Sequence, residues 1–181
     1  MKLEDKHFPV LYEWDLREKE REFYTCRPIH PLLPFESYKQ SNLDKINNGV
    51  KEVFLLVDES SSQNPLGRIM MFDYNPRNHS KEFGYYIPPD MRGKGLGFIM
   101  VTLLLNRVFS AENGLNKLYA TTASNNLRSI GLLEKTGFTL DGRLREHYWI
   151  KDRTFDQLHY SMLQSEWNKS QKGYLGVSKN E

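Results

Sequence analysis

The chain has 181 residues, of which 39% are hydrophobic and 27% are charged, a composition typical of a globular protein with one hydrophobic core. Its net charge of +2 argues against nucleic acid or a membrane surface as the main partner. The single cysteine, Cys26, excludes an internal disulfide, and without an apolar run of ~20 residues or an apolar secretion segment we expect a cytoplasmic protein.

The first fifty residues are predicted to be mostly helix and loop. Apolar positions begin at Leu11 and are followed by Arg17–Glu22, where the charges alternate in sign. This pattern predicts a helix whose first turns pack against the protein and whose last turns are exposed to solvent. Three prolines between residues 28 and 34 predict an irregular loop, and Phe35–Asn47 is predicted to form a second helix. Only Met1–Leu3 is left as a candidate first strand.

The hydrophobic period then changes to that of strands. A Ser- and Asn-rich segment at residues 58–65 predicts a turn, and the strand–helix–strand order around Phe98–Ser110 predicts parallel pairing through a right-handed crossover. The first three predicted strands form an antiparallel meander, and the fourth follows the helix. The predicted strands are Val53–Val57, Leu66–Tyr74, Lys81–Ile87 and Leu118–Thr122.

The last third of the chain contains a short, well-delimited helix. Asn126 is a good N-cap, and Gly137 stands where a left-handed C-cap belongs. We predict one domain over residues 1–166, followed by a polar tail over 167–181 that frays. Two segments are predicted to form a closing hairpin, namely Leu144–Ile150 and Phe155–Leu163.

A glycine-rich loop separates the third strand from the apolar helix. Alternating glycines allow successive backbone N–H groups to point into one concavity, and the helix start adds unpaired N–H groups and the positive end of its dipole. The loop is tighter than the dinucleotide fingerprint and has no P-loop Lys-Ser/Thr, so a phosphate-bearing cofactor of another kind or a turn without ligand remain. The loop is Arg92-Gly93-Lys94-Gly95-Leu96-Gly97.

These motifs carry a family resemblance. The loop Arg92–Gly97 after a strand resembles the Arg/Gln-x-x-Gly-x-Gly loop of the GNAT N-acetyltransferases. The segments Asn126–Ile130, Glu134–Phe138 and Asp141–Glu146 are similar to the RimJ/RimL-like branch, which acetylates protein N-termini, including those of ribosomal proteins. The resemblance implies an α/β GNAT fold with a mixed sheet of six or seven strands, antiparallel at both ends, and a truncated first strand at Met1–Leu3.

The resemblance also implies acetyl-CoA as co-substrate. The loop residues Arg92, Gly93, Lys94, Gly95, Leu96 and Gly97 would hold the pyrophosphate of coenzyme A. The third strand would splay from its neighbour, so that free backbone groups of Tyr86 and Ile87 bind the pantetheine arm. The side-chain amide of Asn126 would reach the same arm while capping its own helix. No metal is implied.

Two residues are candidates for the proton transfers that amine acetylation requires. Glu82 lies in a Glu-x-Gly-Tyr setting that often carries the family's catalytic glutamate, and a carboxylate between apolar neighbours tends toward a raised pKa, as a base requires. The alternative is a solvated strand-end carboxylate. Ser129 matches the serine proposed in this branch to protonate the thiolate, since the usual tyrosine is replaced by Leu133. It could equally be a first-turn hydroxyl that bonds its own backbone.

The acceptor is predicted least directly. The branch resemblance favours a protein or peptide N-terminus. A small-molecule amine such as a polyamine, amino sugar or aminoglycoside is the first alternative, for which a helix with four glutamates could supply carboxylates, and a non-catalytic acyl-CoA-binding module is the second. A truncated first strand leaves a sheet edge open to a second copy of the chain. The four glutamates are Glu13, Glu18, Glu20 and Glu22.

Overall fold

Six strands of the described chain form one mixed sheet. The computed structural model describes residues 1–23, 25–58, 64–110 and 114–177. The strands, numbered along the chain, are β1 (Lys51–Leu56), β2 (Gly67–Asn75), β3 (Ser80–Tyr86), β4 (Lys117–Ala123), β5 (Thr139–Ile150) and β6 (Arg153–Leu163). They pair in the order β1-β2-β3-β4-β6-β5, and among them β3 and β4 form the parallel pair. The predicted α/β fold with a central parallel pair is confirmed.

Five α-helices of the described chain surround the sheet. A short 3₁₀ turn at Pro89–Met91 leads from β3 into the glycine loop. The C-terminal end of α4 follows its prediction, since Gly137 has φ +86° and the Phe138 N–H donates to the Leu133 carbonyl at 2.9 Å. The helices are α1 (Phe8–Arg17), α2 (Phe35–Asn47), α3 (Leu96–Val108), α4 (Leu127–Lys135) and α5 (Gln164–Val177).

The parallel pair separates halfway along its length. β3 and β4 are in register only from Ser80 opposite Lys117 to Glu82 opposite Tyr119. Both strands continue for four more residues, and β3 remains paired with β2 on its other side. One edge of β3 beyond Glu82 therefore has backbone groups that do not bond β4, as the resemblance implies.

The two faces of the sheet pack against different helices. Phe83 belongs to the main core, together with buried residues of α3 and α4. Tyr86 lies on the other face and packs with Leu11 and Trp14 of α1. Because side chains alternate along a strand, Glu82 shares the face of Tyr86. The base candidate is therefore on the α1 side of the sheet.

The structure differs from the sequence predictions at three ends of elements. α1 ends at Arg17 rather than continuing to Glu22, because Glu18 becomes extended and its carboxylate turns inward. β5 begins five residues before the predicted Leu144. Because most residues of this edge strand are exposed, the alternation of apolar and polar residues that marks a strand is missing there. The chain does not fray after residue 166, since α5 continues to Val177 and Trp167 packs against the main core.

The first strand is reduced to one bridge. Lys2 pairs with Phe54, and the Leu3 N–H donates to the Val53 carbonyl at 3.2 Å. This agrees with the expected truncation. Most of the predicted turn at 58–65 lies outside the described residues.

Candidate active site

The glycine loop has the backbone conformation of an anion-binding site. Gly93 has φ +79° and Gly95 has φ +76°, a left-handed region that is strained for residues with a side chain. Gly95 is the N-cap of α3, so the N–H groups of Leu96, Gly97 and Phe98 have no acceptor within the helix. These donors and the helix dipole together favour a negatively charged group at the loop.

The third glycine has a different structural reason. Gly97 lies inside α3, where an added Cβ would stand 2.9 Å from Leu132 Cδ2 and 3.4 Å from Ile87 Cδ1. A side chain here would push α3 away from α4. Gly97 therefore sets the close approach of the two helices that border the separated strands.

The two cations of the loop are placed differently. The Arg92 guanidinium pairs with the Glu18 carboxylate at 2.9 Å and donates from Nε to the Ile87 carbonyl at 2.9 Å. It also stands 5.9 Å from the centre of the Tyr86 ring. Lys94 is exposed, with its Nζ 3.5 Å from Met91 Sδ. Thus Arg92 ties the loop to α1, while Lys94 is the cation accessible from solvent.

The start of α4 contacts the separated part of β3. Asn126 caps the helix, since its Oδ1 accepts the Ser129 N–H at 3.3 Å. The Ser129 Oγ accepts a hydrogen bond from the Tyr85 hydroxyl at 2.9 Å. Sequence reasoning missed Tyr85, although it is the tyrosine of the quoted Glu-x-Gly-Tyr stretch. Because Ser129 accepts from Tyr85, its own proton remains available for a second partner.

Glu82 stands where β3 and β4 begin to separate. Its carboxylate accepts from Thr121 Oγ1 at 3.0 Å and lies 3.4 Å from the Arg27 guanidinium, with 13% of the side chain exposed. Burial raises the pKa of Glu82, and the Thr121 hydrogen bond and the Arg27 charge reduce this shift. A carboxyl with a raised pKa is better suited to accept a proton from an amine.

Glu82 and Ser129 approach the opening from opposite faces of β3. Glu82 is on the α1 side, whereas Ser129 bonds Tyr85 on the side of α3 and α4. Leu133, at the position of the family's tyrosine, is fully buried in the main core. The opening between the strands is thus the route by which one ligand can meet both candidate groups.

The opening also contains unpartnered polar atoms. Thr122 Oγ1 and Asn125 Oδ1 are buried and have no hydrogen-bond partner within the described residues. Both follow the last residue of β4 that pairs with β3. These atoms, and the backbone groups of β3 that do not bond β4, are of the kind that an elongated amide-containing ligand such as the arm of coenzyme A could bond.

Comparison with known proteins identifies the family. A family model described as an acetyltransferase (GNAT) domain matches residues 2–139. The chain belongs to the GNAT acetyltransferase family. It is accordingly an acetyl-CoA-dependent N-acetyltransferase, as the resemblance implied.

Curated relatives of this GNAT chain include enzymes with different acceptors. It is 28% identical over 142 residues to the spermidine N(1)-acetyltransferase of Vibrio cholerae, covering 78% of this chain and 80% of that protein. It is 30% identical over 120 residues to the putative ribosomal N-acetyltransferase YdaF of Bacillus subtilis, covering 66% and 62%. Neither relative establishes the RimJ/RimL-like branch.

Solved structures confirm the GNAT fold. The spermidine N-acetyltransferase of Vibrio cholerae in complex with CoA and spermine matches with a TM-score of 0.81 at 24% identity, covering 93% of this chain and 96% of that one. The dodecameric structure of the same enzyme in an intermediate state matches with a TM-score of 0.77 at 23% identity, covering 92% and 93%. At these identities the likeness establishes the fold alone.

The described residues offer neither a metal-binding cluster nor a membrane-spanning helix. No group of three or more His, Cys, Asp or Glu side chains in the described ranges could hold a metal ion. In the same part of the chain, no helix is long and apolar enough to cross a membrane. The expected cytoplasmic location and homodimer stay predictions.

Proposed function

We propose that this GNAT enzyme transfers the acetyl group of acetyl-CoA to the primary amine of a small polyamine-like molecule. The observation that carries the proposal is the half-buried junction of β3 and β4, where Glu82 offers a carboxylate with a raised pKa beside the opening. Similarity to a spermidine N(1)-acetyltransferase over four fifths of that protein supports the acceptor class. This favours the small-amine alternative over the protein N-terminus that the sequence motifs favoured.

Two of the four glutamates that could supply carboxylates to such an amine have partners within the protein. Glu13 pairs with Arg17 at 2.7 Å, and Glu18 pairs with Arg92. The helix that should have carried all four glutamates ends before Glu18. The acceptor amine is therefore proposed to meet Glu82 rather than a row of glutamates on α1.

The glycine loop is proposed to hold the acetyl donor. Its N–H groups at the start of α3 and the exposed Lys94 would bind the pyrophosphate, and Arg92 would join them by exchanging Glu18 for a phosphate oxygen. The edge of β3 at Tyr86 and Ile87, which does not pair with β4, would line the pantetheine arm with Asn126. When bound, acetyl-CoA supplies the acetyl thioester that the amine attacks.

The proton transfers are proposed to use both faces of the opening. Glu82, directly or through a water molecule, takes the proton that the attacking ammonium must lose. Ser129 donates a proton to the departing thiolate, and the Tyr85 hydroxyl supplies a hydrogen bond that compensates the charge left on Ser129. Acetyl transfer by direct attack needs no covalent enzyme intermediate.

A panel of acceptors tests the proposal. Release of free thiol from acetyl-CoA is followed with spermidine, spermine, an amino sugar, an aminoglycoside and peptides with free N-termini. Turnover of spermidine or spermine well above that of the peptides supports it. Turnover of peptides alone would establish the protein N-terminus, an acceptor for which the likeness to a putative ribosomal N-acetyltransferase is the argument. Binding of acetyl-CoA without any turnover, unchanged in Glu82→Gln, would identify a non-catalytic module.

A further inference from the structure

We propose that Arg27 is a resident cation that occupies the position of the acceptor amine at Glu82 and withdraws onto Asp73 when the acceptor binds. The proposal rests on the acetyl-transfer function proposed above, and it concerns a residue from the proline-rich segment before α2. Neither Arg27 nor Asp73 is marked by any motif of the sequence.

The two carboxylate oxygens of Glu82 have different partners. Oε1 accepts from Thr121 Oγ1 at 3.0 Å, on the strand that borders the buried junction. Oε2 faces the Arg27 guanidinium, 3.4 Å away. Because Arg27 is 57% exposed and Glu82 only 13%, Arg27 lies between the base and solvent. An amine that is to give its proton to Glu82 must take the place of the guanidinium at Oε2.

The contact with Glu82 is the weaker of two that Arg27 makes. A charge-assisted hydrogen bond is normally about 2.7–2.9 Å long, so 3.4 Å is a loose pairing. The same guanidinium nitrogen pairs closely with the Asp73 carboxylate, and the guanidinium lies over the Phe72 ring at 5.1 Å. Arg27 can therefore leave Glu82 while it keeps Asp73 and the ring.

An irregularity in the backbone of β2 lets both Phe72 and Asp73 contact Arg27. In a regular strand, Phe72 and Asp73 would point to opposite faces of the sheet. Here Asp73 has φ +52° within a register shift between Phe72 and Asn75, and both side chains reach Arg27. The unfavourable left-handed conformation at Asp73 thus creates a second carboxylate partner for Arg27 next to the base.

The charges near Glu82 come from several elements. Arg27 from the segment before α2 and Asp73 from β2 carry full charges, while Tyr119 of β4 and Tyr148 of β5 are neutral phenols whose pKa values burial raises. Among these described residues, Arg27 carries the positive charge. Removing Arg27 should therefore both open Oε2 and let the pKa of Glu82 rise further.

The test compares Arg27→Ala with Arg27→Lys and with Arg77→Ala. Arg77 is an exposed arginine in the β2–β3 turn, so its removal changes the net charge equally. At a pH well above the acid limb, we expect Arg27→Ala to lower the KM for spermidine by about threefold to tenfold with kcat within about twofold. Arg27→Lys should lie near the parent enzyme, and Arg77→Ala should change neither constant.

A double-variant cycle examines the role of Asp73. Asp73→Asn keeps a residue type that tolerates φ +52° but removes the alternative partner, so Arg27 should stay on Glu82 and the KM should rise about threefold to tenfold. In the Arg27→Ala background the same change should have a much smaller effect on KM, limited to the direct influence of the Asp73 charge on Glu82. An Asp73 effect of equal size without Arg27 would mean that Asp73 binds the amine itself, and would overturn the proposal.

A pH titration distinguishes failure of this proposal from failure of the proposed function. The carboxyl ¹³C NMR titration of Glu82 in the CoA complex needs no acceptor, and its pKa should be higher in Arg27→Ala than in the parent enzyme. An unchanged pKa, or a raised KM for the amine in Arg27→Ala, overturns the proposal even if spermidine is acetylated. If spermidine is not turned over, the function proposal fails, and the KM experiments are done with the acceptor that the panel identifies. If the panel identifies none, both proposals fail.

Discussion

Glu82→Gln is the substitution that tests the proposed chemistry most directly. Glutamine keeps the size of the side chain, and its Oε1 can still accept from Thr121, but it cannot take a proton from an amine. A positioned general base contributes about 10²–10⁴-fold to the rate, which corresponds to about 3–5 kcal/mol of barrier. Because the Glu82 side chain is only 13% exposed, bulk water is a poor substitute, and we expect a loss of kcat of about 10³-fold.

The same substitution should not destabilise the fold. Since burial raises the pKa of Glu82 in the folded state, the unfolded chain binds fewer protons at this group between the two pKa values. Stability therefore falls as the pH rises from the ordinary value of 4.5 through the raised folded-state pKa, and the whole penalty is present above that pKa. Glu82→Gln removes the penalty, so its free energy of unfolding at pH 7 should equal or exceed that of the parent enzyme.

The assay combines initial rates of thiol release over a wide pH range with urea unfolding and the Kd of CoA. In the parent enzyme, kcat/KM should fall at acid pH as Glu82 becomes protonated, and this limb should be missing in Glu82→Gln. An unchanged Kd would show that the donor site is intact. A variant that keeps kcat within about fivefold, with the acid limb unaltered, would refute Glu82 as the base.

Four further substitutions test other parts of the site and its support. Ser129→Ala should lower kcat about tenfold to a hundredfold without changing the Kd of CoA, and Tyr85→Phe should lower kcat less. Unchanged rates would leave Ser129 as a first-turn residue of α4 without a role in proton transfer. Lys94→Ala should weaken CoA binding about threefold to tenfold and reduce its salt dependence in calorimetric titrations, whereas equal salt slopes would remove Lys94 from the pyrophosphate site. Asp15→Asn leaves the buried Arg68 guanidinium without its carboxylate, so urea unfolding should show a loss of about 3–5 kcal/mol; a loss below about 1 kcal/mol would contradict the ion pair.

The elements that local patterns specify were predicted well. The meander, the parallel crossover and both caps of α4 follow from hydrophobic period, glycine position and side-chain capping, which act within a few residues. Gly93 and Gly95 were also recognisable locally, because a left-handed backbone conformation at a single position favours glycine there. Local signals failed at the ends of α1 and α5, where the outcome depends on one contact with a distant element.

The charged contacts of the site have no local signal. Arg27 is 55 residues from Glu82 in the chain, and Glu18 is 74 residues from Arg92. The free energy of such a pair depends on the distance and burial that the folded chain creates, and neither is encoded by spacing. For the same reason the spacing of the four glutamates gave no sign that α1 ends at Arg17 or that Glu18 pairs with Arg92.

The sequence by itself determined the family, the donor and the order of elements, because the glycine loop, the Asn126 cap and the strand periods are each readable over a few residues. Only the tertiary structure decided that the expected separation of β3 and β4 begins after Glu82, and that Arg27 contacts both Glu82 and Asp73. Whether two strands stay paired, and which charges meet across a sheet, depends on packing of residues far apart in the chain. The residues that we propose to meet the acceptor amine are brought together by that packing.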